Sequence, residues 1–170
     1  MTLQIIIADC LSSSKHGFFT RHGGISSGIF KGLNCGAGSS DQSDAVIKNK
    51  SLVCDAMGVS SDKLMTVHQI HSAKVIISSD QVIGTKPKAD AIVSNTKGMA
   101  IGILTADCAP ILFCDHSAGI VGAAHSGWQG AIKGVAQNTV KEMVDLGADV
   151  SNIQAVVGPV SYTHLTLPTN

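Results

Sequence analysis

An α+β fold with mixed β-sheets and packed helices, layered into a single domain, is what this sequence predicts. Short β-branched runs outnumber helical patterns, and the two kinds do not alternate as they would in a doubly wound sheet. A length of 170 residues suits one core rather than two. The strand-like runs are Leu3–Ala8, Phe18–Thr20, Lys74–Ser78, Ala91–Ser94, Met99–Leu104, Ile111–Cys114, Ile120–Ala124 and Ile153–Val157. Asp41–Met57 reads as a helix. Ser40 or Asp41 can cap it, Ala45, Leu52, Val53 and Ala56 make its apolar face, and Gly58 ends it. A second helix is predicted from about Trp128 to Leu146. Trp128, Ala131, Ile132, Val135, Thr139, Met143 and Leu146 fall on one stripe, and Gly147 supplies the stop.

Between Arg21 and Ser40 lies a long loop carrying Gly23, Gly24, Gly28, Gly32, Gly36 and Gly38. A loop of that length inside a compact domain is expected to be functional or disordered. The last ten residues, Ser161 to Asn170, carry no apolar stripe and resemble a translated sequencing adaptor. The expected division is therefore an incomplete domain over 1–160, its C-terminal part missing, and a non-native tail over 161–170.

Composition excludes several functions. Lys and Arg total 12 and Asp and Glu total 12, so the basic excess of a phosphate-neutralising nucleic-acid binder is absent. The charged fraction is 14%, below the ~25% of ordinary domains, while 44% is apolar, which argues for a well-buried core and against disorder. Aromatics are few, so Ile, Val, Leu and Ala must build that core. No apolar run approaches the ~18–20 residues of a membrane span, and the N-terminus lacks the positive region of a cleaved signal. Cys10, Cys35, Cys54, Cys108 and Cys114 form an odd set with no CxxC, the pattern of reduced thiols in a cytoplasmic protein.

Three segments place a metal-type ligand where a short β run gives way to a turn: Thr66-Val-His-Gln-Ile-His71-Ser72, Leu104-Thr-Ala-Asp107-Cys108-Ala-Pro110, and Gly122-Ala-Ala-His125-Ser-Gly-Trp128. His71, Cys108 and His125 would form a His2Cys set, and three protein ligands with an open fourth position suit a catalytic zinc. Such an ion lowers the pKa of bound water from 15.7 to about 7. The plainer reading is a buried small thiol and two ordinary hydrogen-bonded imidazoles. His68 is a rival ligand, because on a strand it would face away from His71. His16, His22 and His116 read as surface residues, and His164 lies in the tail.

Arg21 is the single arginine and heads the glycine-rich loop. A guanidinium beside free backbone N–H groups suits a phosphate or carboxylate, whereas a tight turn with a surface arginine is the simpler alternative. Glu142, the single glutamate, sits on the second predicted helix, and the His-x-Glu…Pro-Cys-x-x-Cys signature of zinc nucleobase deaminases is absent. A proton relay would then fall to Asp107 or Asp90, to the hydroxide itself, or to a group outside the sequence.

Taken in order, Phe19-Thr-Arg-His-Gly-Gly-Ile-Ser26 with Asn34, Gln69-Ile-His71, Ala89-Asp-Ala91, Thr105-Ala-Asp-Cys-Ala-Pro110, Ala124-His-Ser-Gly-Trp128-x-Gly130 and Gly158-Pro159 resemble the YfiH-type, or laccase-domain, family. The family is described as purine nucleoside phosphorylases and was earlier described as polyphenol oxidases. The resemblance implies phosphorolysis of adenosine, inosine and methylthioadenosine to the free base and ribose 1-phosphate, with adenosine deaminase activity. It implies zinc, or copper, on His71, Cys108 and His125. On our reading, Cys108, Asp107 and His125 are the candidate catalytic residues, and Arg21, Gly23, Gly24 and Ser26 the candidate site for inorganic phosphate. A link to peptidoglycan quality control is described for bacterial members. Position 129 is Gln where the family commonly has Arg or Lys, and the family pattern continues beyond Gly158-Pro159.

Other activities compete. A multicopper polyphenol oxidase needs roughly ten imidazoles, going by known oxidases, against the seven histidines here. A Cys–His hydrolase acting on peptidoglycan precursors would use Cys108 as nucleophile and His125 as base, with no need of His71. A binding role without chemistry is the remaining option.

Overall fold

A computed structural model of the protein describes residues 2–78 and 86–160, so the tail expected to be non-native lies outside the described residues. The fold is α+β with mixed sheets, as the sequence predicts. In chain order the elements are β1 (Ile5–Ile6), β2 (Phe18–Phe19), α1 (Ser43–Met57), β3 (Leu64–Thr66), β4 (Val75–Ile77), β5 (Ala91–Ser94), β6 (Ala100–Gly102), β7 (Ala109–Asp115), β8 (Ile120–Ser126), α2 (Trp128–Ile132), α3 (Val135–Asp145) and β9 (Gln154–Val157). The main sheet runs β4-β5-β8-β7-β9, with β4 parallel to β5 and the other neighbours antiparallel. A parallel pair, β3-β6, and an antiparallel pair, β1-β2, complete the described strands.

All four residues of β5 are buried, because both faces of that strand are covered. Ala91 and Val93 join Phe113, Ala124, Val135 and Met143 in a core beneath α3. Ile92 faces the other way, into a smaller core with Met65, Val67 and Ala89. The tight β7–β8 connection turns at Gly119, whose φ of +67° favours glycine. Asp115 holds this turn by accepting from the Ala118 and Asp149 amides at 3.0 and 2.9 Å.

Several elements differ from expectation. The helix expected as one piece from Trp128 breaks at Gly134, which takes a left-handed φ of +83°. The enclosed part of the expected stripe lies past the break and the part before it is exposed. Val135, Thr139 and Met143 are enclosed, while Trp128 and Ile132 are 72% and 80% exposed. On α1 the buried line runs through Val46, Asn49 and Cys54 rather than the expected face, and no side chain caps the helix at Gln42. Gly58 ends α1 in the left-handed conformation, as expected. β7 extends back through Pro110 to Ala109: the missing N–H of the proline faces the β9 side at the end of that ladder, where its carbonyl still accepts from the Gly158 amide at 2.8 Å. β1 shortens to two residues, with Ile7 already 63% exposed. No helix among the described residues is long and apolar enough to cross a membrane, and the five cysteines are free.

The glycine-rich loop is folded around two polar side chains of the α1 region. Asn49, fully buried, donates to Ser26 Oγ and the Asn34 carbonyl, both at 2.9 Å, and accepts from the Ile25 amide at 2.9 Å. Asp41 accepts from Ser26 Oγ at 2.6 Å and Asn34 Nδ2 at 2.9 Å. Those hydrogen bonds hold the Asp41 carboxyl below its usual range. Asn49→Ala would strand several buried polar groups at about 1–3 kcal/mol each. The expected loss is about 2–4 kcal/mol of stability, read from the urea midpoint.

Candidate metal centre

The sheet delivers the three suspected ligands from separate stretches of chain. His125 lies within β8, and Cys108 immediately precedes β7. Antiparallel pairing sets Pro110 opposite His125 and Ala109 opposite Ser126, so Cys108 arrives beside Gly127. His71 follows β3 in a tight turn with φ +57°, left-handed backbone that costs a non-glycine residue about 1–2 kcal/mol.

One donor atom from each of His71, Cys108 and His125 lies within 4.8 Å of the other two. Cys108 Sγ is 4.0 Å from His71 Nε2, and the two imidazoles meet edge to face with centroids 4.9 Å apart. Tetrahedral zinc with ordinary bond lengths sets such donors roughly 3.3–3.6 Å apart. The observed spacing is wider by roughly 0.5–1.5 Å, within reach of small side-chain rotations. Two imidazoles and a thiol form a suitable donor set for zinc or copper. His125 is buried, Cys108 half-buried and His71 exposed, so the cluster opens to solvent on the His71 side. No fourth protein ligand joins it among the described residues.

Asp90, fully buried at the start of β5, binds this region together. Oδ1 accepts from the His71 amide at 3.0 Å and lies 2.8 Å from His125 Nδ1; Oδ2 accepts from the Ile70 amide at 3.2 Å and from the Ser72 amide and hydroxyl at 2.6 and 2.7 Å. Its backbone carbonyl takes the His125 amide at 2.7 Å. Burial pushes the Asp90 carboxyl up, but hydrogen bonds from Ser72, His125 and Ile70 outweigh it and hold the group below the usual carboxylate range. Gln69 adds a second clip. Its amide donates to the Leu104 carbonyl at 2.7 Å and accepts from the Leu104 amide at 2.8 Å, tying the His71 turn to the stretch that leads to Cys108.

The rival ligand His68 is exposed and does not join the cluster; its backbone bridges to the strand-like stretch at Lys88. Asp107 is exposed beside Cys108. The residues expected to hold phosphate lie together in the glycine-rich loop. Arg21 is exposed and donates through Nη2 to the Lys31 carbonyl at 2.8 Å. Gly23 packs against the Thr2 and Leu3 backbone, and Gly24 against Gly32 and Leu33, so close that neither has room for a Cβ. Ser26 is buried, with its hydroxyl proton directed to Asp41.

Sequence reading alone missed the roles of Gln69 and Gly127 and the extent of the Asp90 network. A charged residue between the apolar stretches around Ala89 and Ala91 was the available signal for Asp90. Gly127 gave none, because its backbone, φ −71°, is open to any residue. Space is the restriction: a Cβ there would sit 2.9 Å from both Cys108 Sγ and His71 Cδ2. Gly127→Ala is therefore expected to fold and to displace two donors. The predicted loss of zinc affinity is about 10–100-fold, measured by competition with a chelating dye.

The family described as multi-copper polyphenol oxidoreductase laccase matches residues 15–163. Among relatives, the purine nucleoside phosphorylase of Deinococcus radiodurans is 40% identical over 144 residues, covering 85% of this chain and 55% of its own length. The corresponding protein of Streptomyces coelicolor is 36% identical over 153 residues, covering 89% and 63%. This chain thus spans less than two thirds of the length of these curated relatives. YlmD from Geobacillus stearothermophilus superposes with a TM-score of 0.84 at 28% identity, over 90% of this chain and 60% of that one. A Neisseria meningitidis protein, NMB0706, superposes at 0.82 with 34% identity, over 93% and 62%. With its fold, its sequence and the order of its segments all in agreement, the chain belongs to the laccase-domain family, of which YlmD is a solved member.

Proposed function

We propose that the chain carries the metal-binding part of a purine nucleoside phosphorylase, which converts a purine nucleoside and inorganic phosphate into the free base and ribose 1-phosphate. Adenosine, inosine and methylthioadenosine are the proposed substrates, with adenosine deamination as a second activity. The observation that carries the reading is the convergence of His71, Cys108 and His125, in a chain whose relatives are named purine nucleoside phosphorylases. Zinc, or alternatively copper, held by these three side chains would supply Lewis acidity and ionised water at neutral pH. His125, hydrogen-bonded through Nδ1 to Asp90, offers Nε2; His71 offers Nε2; Cys108 offers its thiolate. The exposed Asp107 carboxylate is the proposed proton carrier beside Cys108. Arg21, with the Gly23 and Gly24 backbone, is the proposed anchor for phosphate. Ser26 serves that loop by bracing it through Asp41 and Asn49.

The family's description as polyphenol oxidoreductase keeps copper oxidation as a second reading. Against it stands the ligand count: among the described residues a single cluster of three donors is found, and a multicopper centre requires several such clusters. The hydrolase reading needs one imidazole beside the thiol, and here two converge.

The test is metal content together with phosphorolysis of inosine. The zinc-loaded chain is expected to release hypoxanthine only when phosphate is present, and Cys108→Ala is expected to lose zinc and at least about 100-fold in rate together. Phosphorolysis that persists after metal removal would contradict the metal-dependent mechanism, and a zinc-loaded chain that releases no hypoxanthine would contradict the function.

A further inference from the structure

Asp90 has no solvent exposure and lies behind the cluster, reaching it through the His71 amide and the Nδ1 side of the His125 ring. Its two oxygens hold backbone amides from the three consecutive residues Ile70, His71 and Ser72 together with the His125 ring. An ionised carboxylate can only accept. With three backbone amides and the Ser72 hydroxyl already donating to its oxygens, Asp90 is placed as an acceptor. The 2.8 Å contact between Oδ1 and His125 Nδ1 then puts the ring proton on Nδ1, and in the neutral ring this leaves the lone pair on Nε2. The same oxygen holds the His71 amide in its left-handed turn.

We propose that Asp90 is the positioning residue of this centre: it fixes the His125 tautomer and the His71 backbone together, so that both imidazoles present Nε2 before any ion arrives. This rests on the reading of the trio as metal ligands. With no exposure and five donors on its two oxygens, Asp90 is not the proton relay, a role left to Asp107.

Asp90→Asn keeps the shape and replaces one acceptor by a donor pair. The oxygen of the new amide is drawn to the Oδ2 side, where three donors from Ile70 and Ser72 meet, so its NH2 faces His125 Nδ1. Nδ1 must then accept, and the ring proton moves to Nε2, where it blocks the lone pair. The experiment is a long-range 1H–15N correlation of the histidine rings in the metal-free chain, followed by zinc titration. The wild-type protein is expected to show His125 as the Nδ1–H tautomer and Asp90→Asn as Nε2–H, with zinc affinity about 10–100-fold weaker. Ser72→Ala removes a hydroxyl donor from Oδ2 but leaves Oδ1 in place, and is expected to keep Nδ1–H. A merely structural role for Asp90 would leave the tautomer unmoved in a folded variant.

An Nε2–H tautomer in the metal-free wild-type protein overturns the proposal without any variant, even if Asp90→Asn fails to fold. Unchanged zinc affinity in a folded Asp90→Asn protein overturns it as well. Zinc bound with His125 as Nδ1–H but no phosphorolysis would support the positioning role and count against the proposed function, so the two fail separately.

Discussion

A buried carboxylate that must be fully hydrogen-bonded is the constraint on which the site depends. Charge taken out of water costs several kcal/mol unless donors replace the solvent, and Asp90 has no exposure at all. The chain supplies the donors from the turn at Ile70–Ser72 and from the His125 ring, and so brings together stretches far apart in sequence. Once the fold has buried this aspartate, its oxygens accept from both ligand-bearing stretches and so tie the two imidazoles to one point. Removing a partner would leave an uncompensated buried charge, so breaking the network is costly whatever its net contribution to stability.

The surrounding fold makes that gathering rigid. β5, which begins one residue after Asp90, has apolar packing on both faces, beneath α3 on one side and against Met65 and Val67 on the other. Its pairing with β8 sets Ala91 opposite Ala124, next to His125. Pairing of β8 with β7 then fixes where Cys108 arrives. The strands hold His125 directly and fix where Cys108 arrives, while His71 comes from a turn on the solvent side. Gly127 completes the geometry by leaving unoccupied the space into which Cys108 and His71 project.

Much of this was legible in the sequence, for identifiable reasons. β5 matched its expected bounds because a run of four buried residues is unambiguous. The three ligands stood out because each follows an apolar run. The second long helix was misjudged because a 3.6-residue stripe passed unbroken across Gly134, and periodicity says nothing about a left-handed residue that redirects the axis. Asn49 was invisible as a core residue: a polar side chain inside a helix reads as solvated until the loop it serves is known. The glycines at 23 and 24 suggested an anion cradle, yet close backbone packing also accounts for them. Composition cannot separate those two causes.

The most direct measurement of the central claim is X-ray absorption at the zinc edge of the protein loaded with one equivalent of metal. Convergence of His71, Cys108 and His125 on one ion predicts a single sulfur neighbour at about 2.3 Å and two imidazole nitrogens at about 2.0–2.1 Å, with one further light atom completing the shell. A shell containing no sulfur, or zinc that does not bind in a one-to-one ratio, would contradict it.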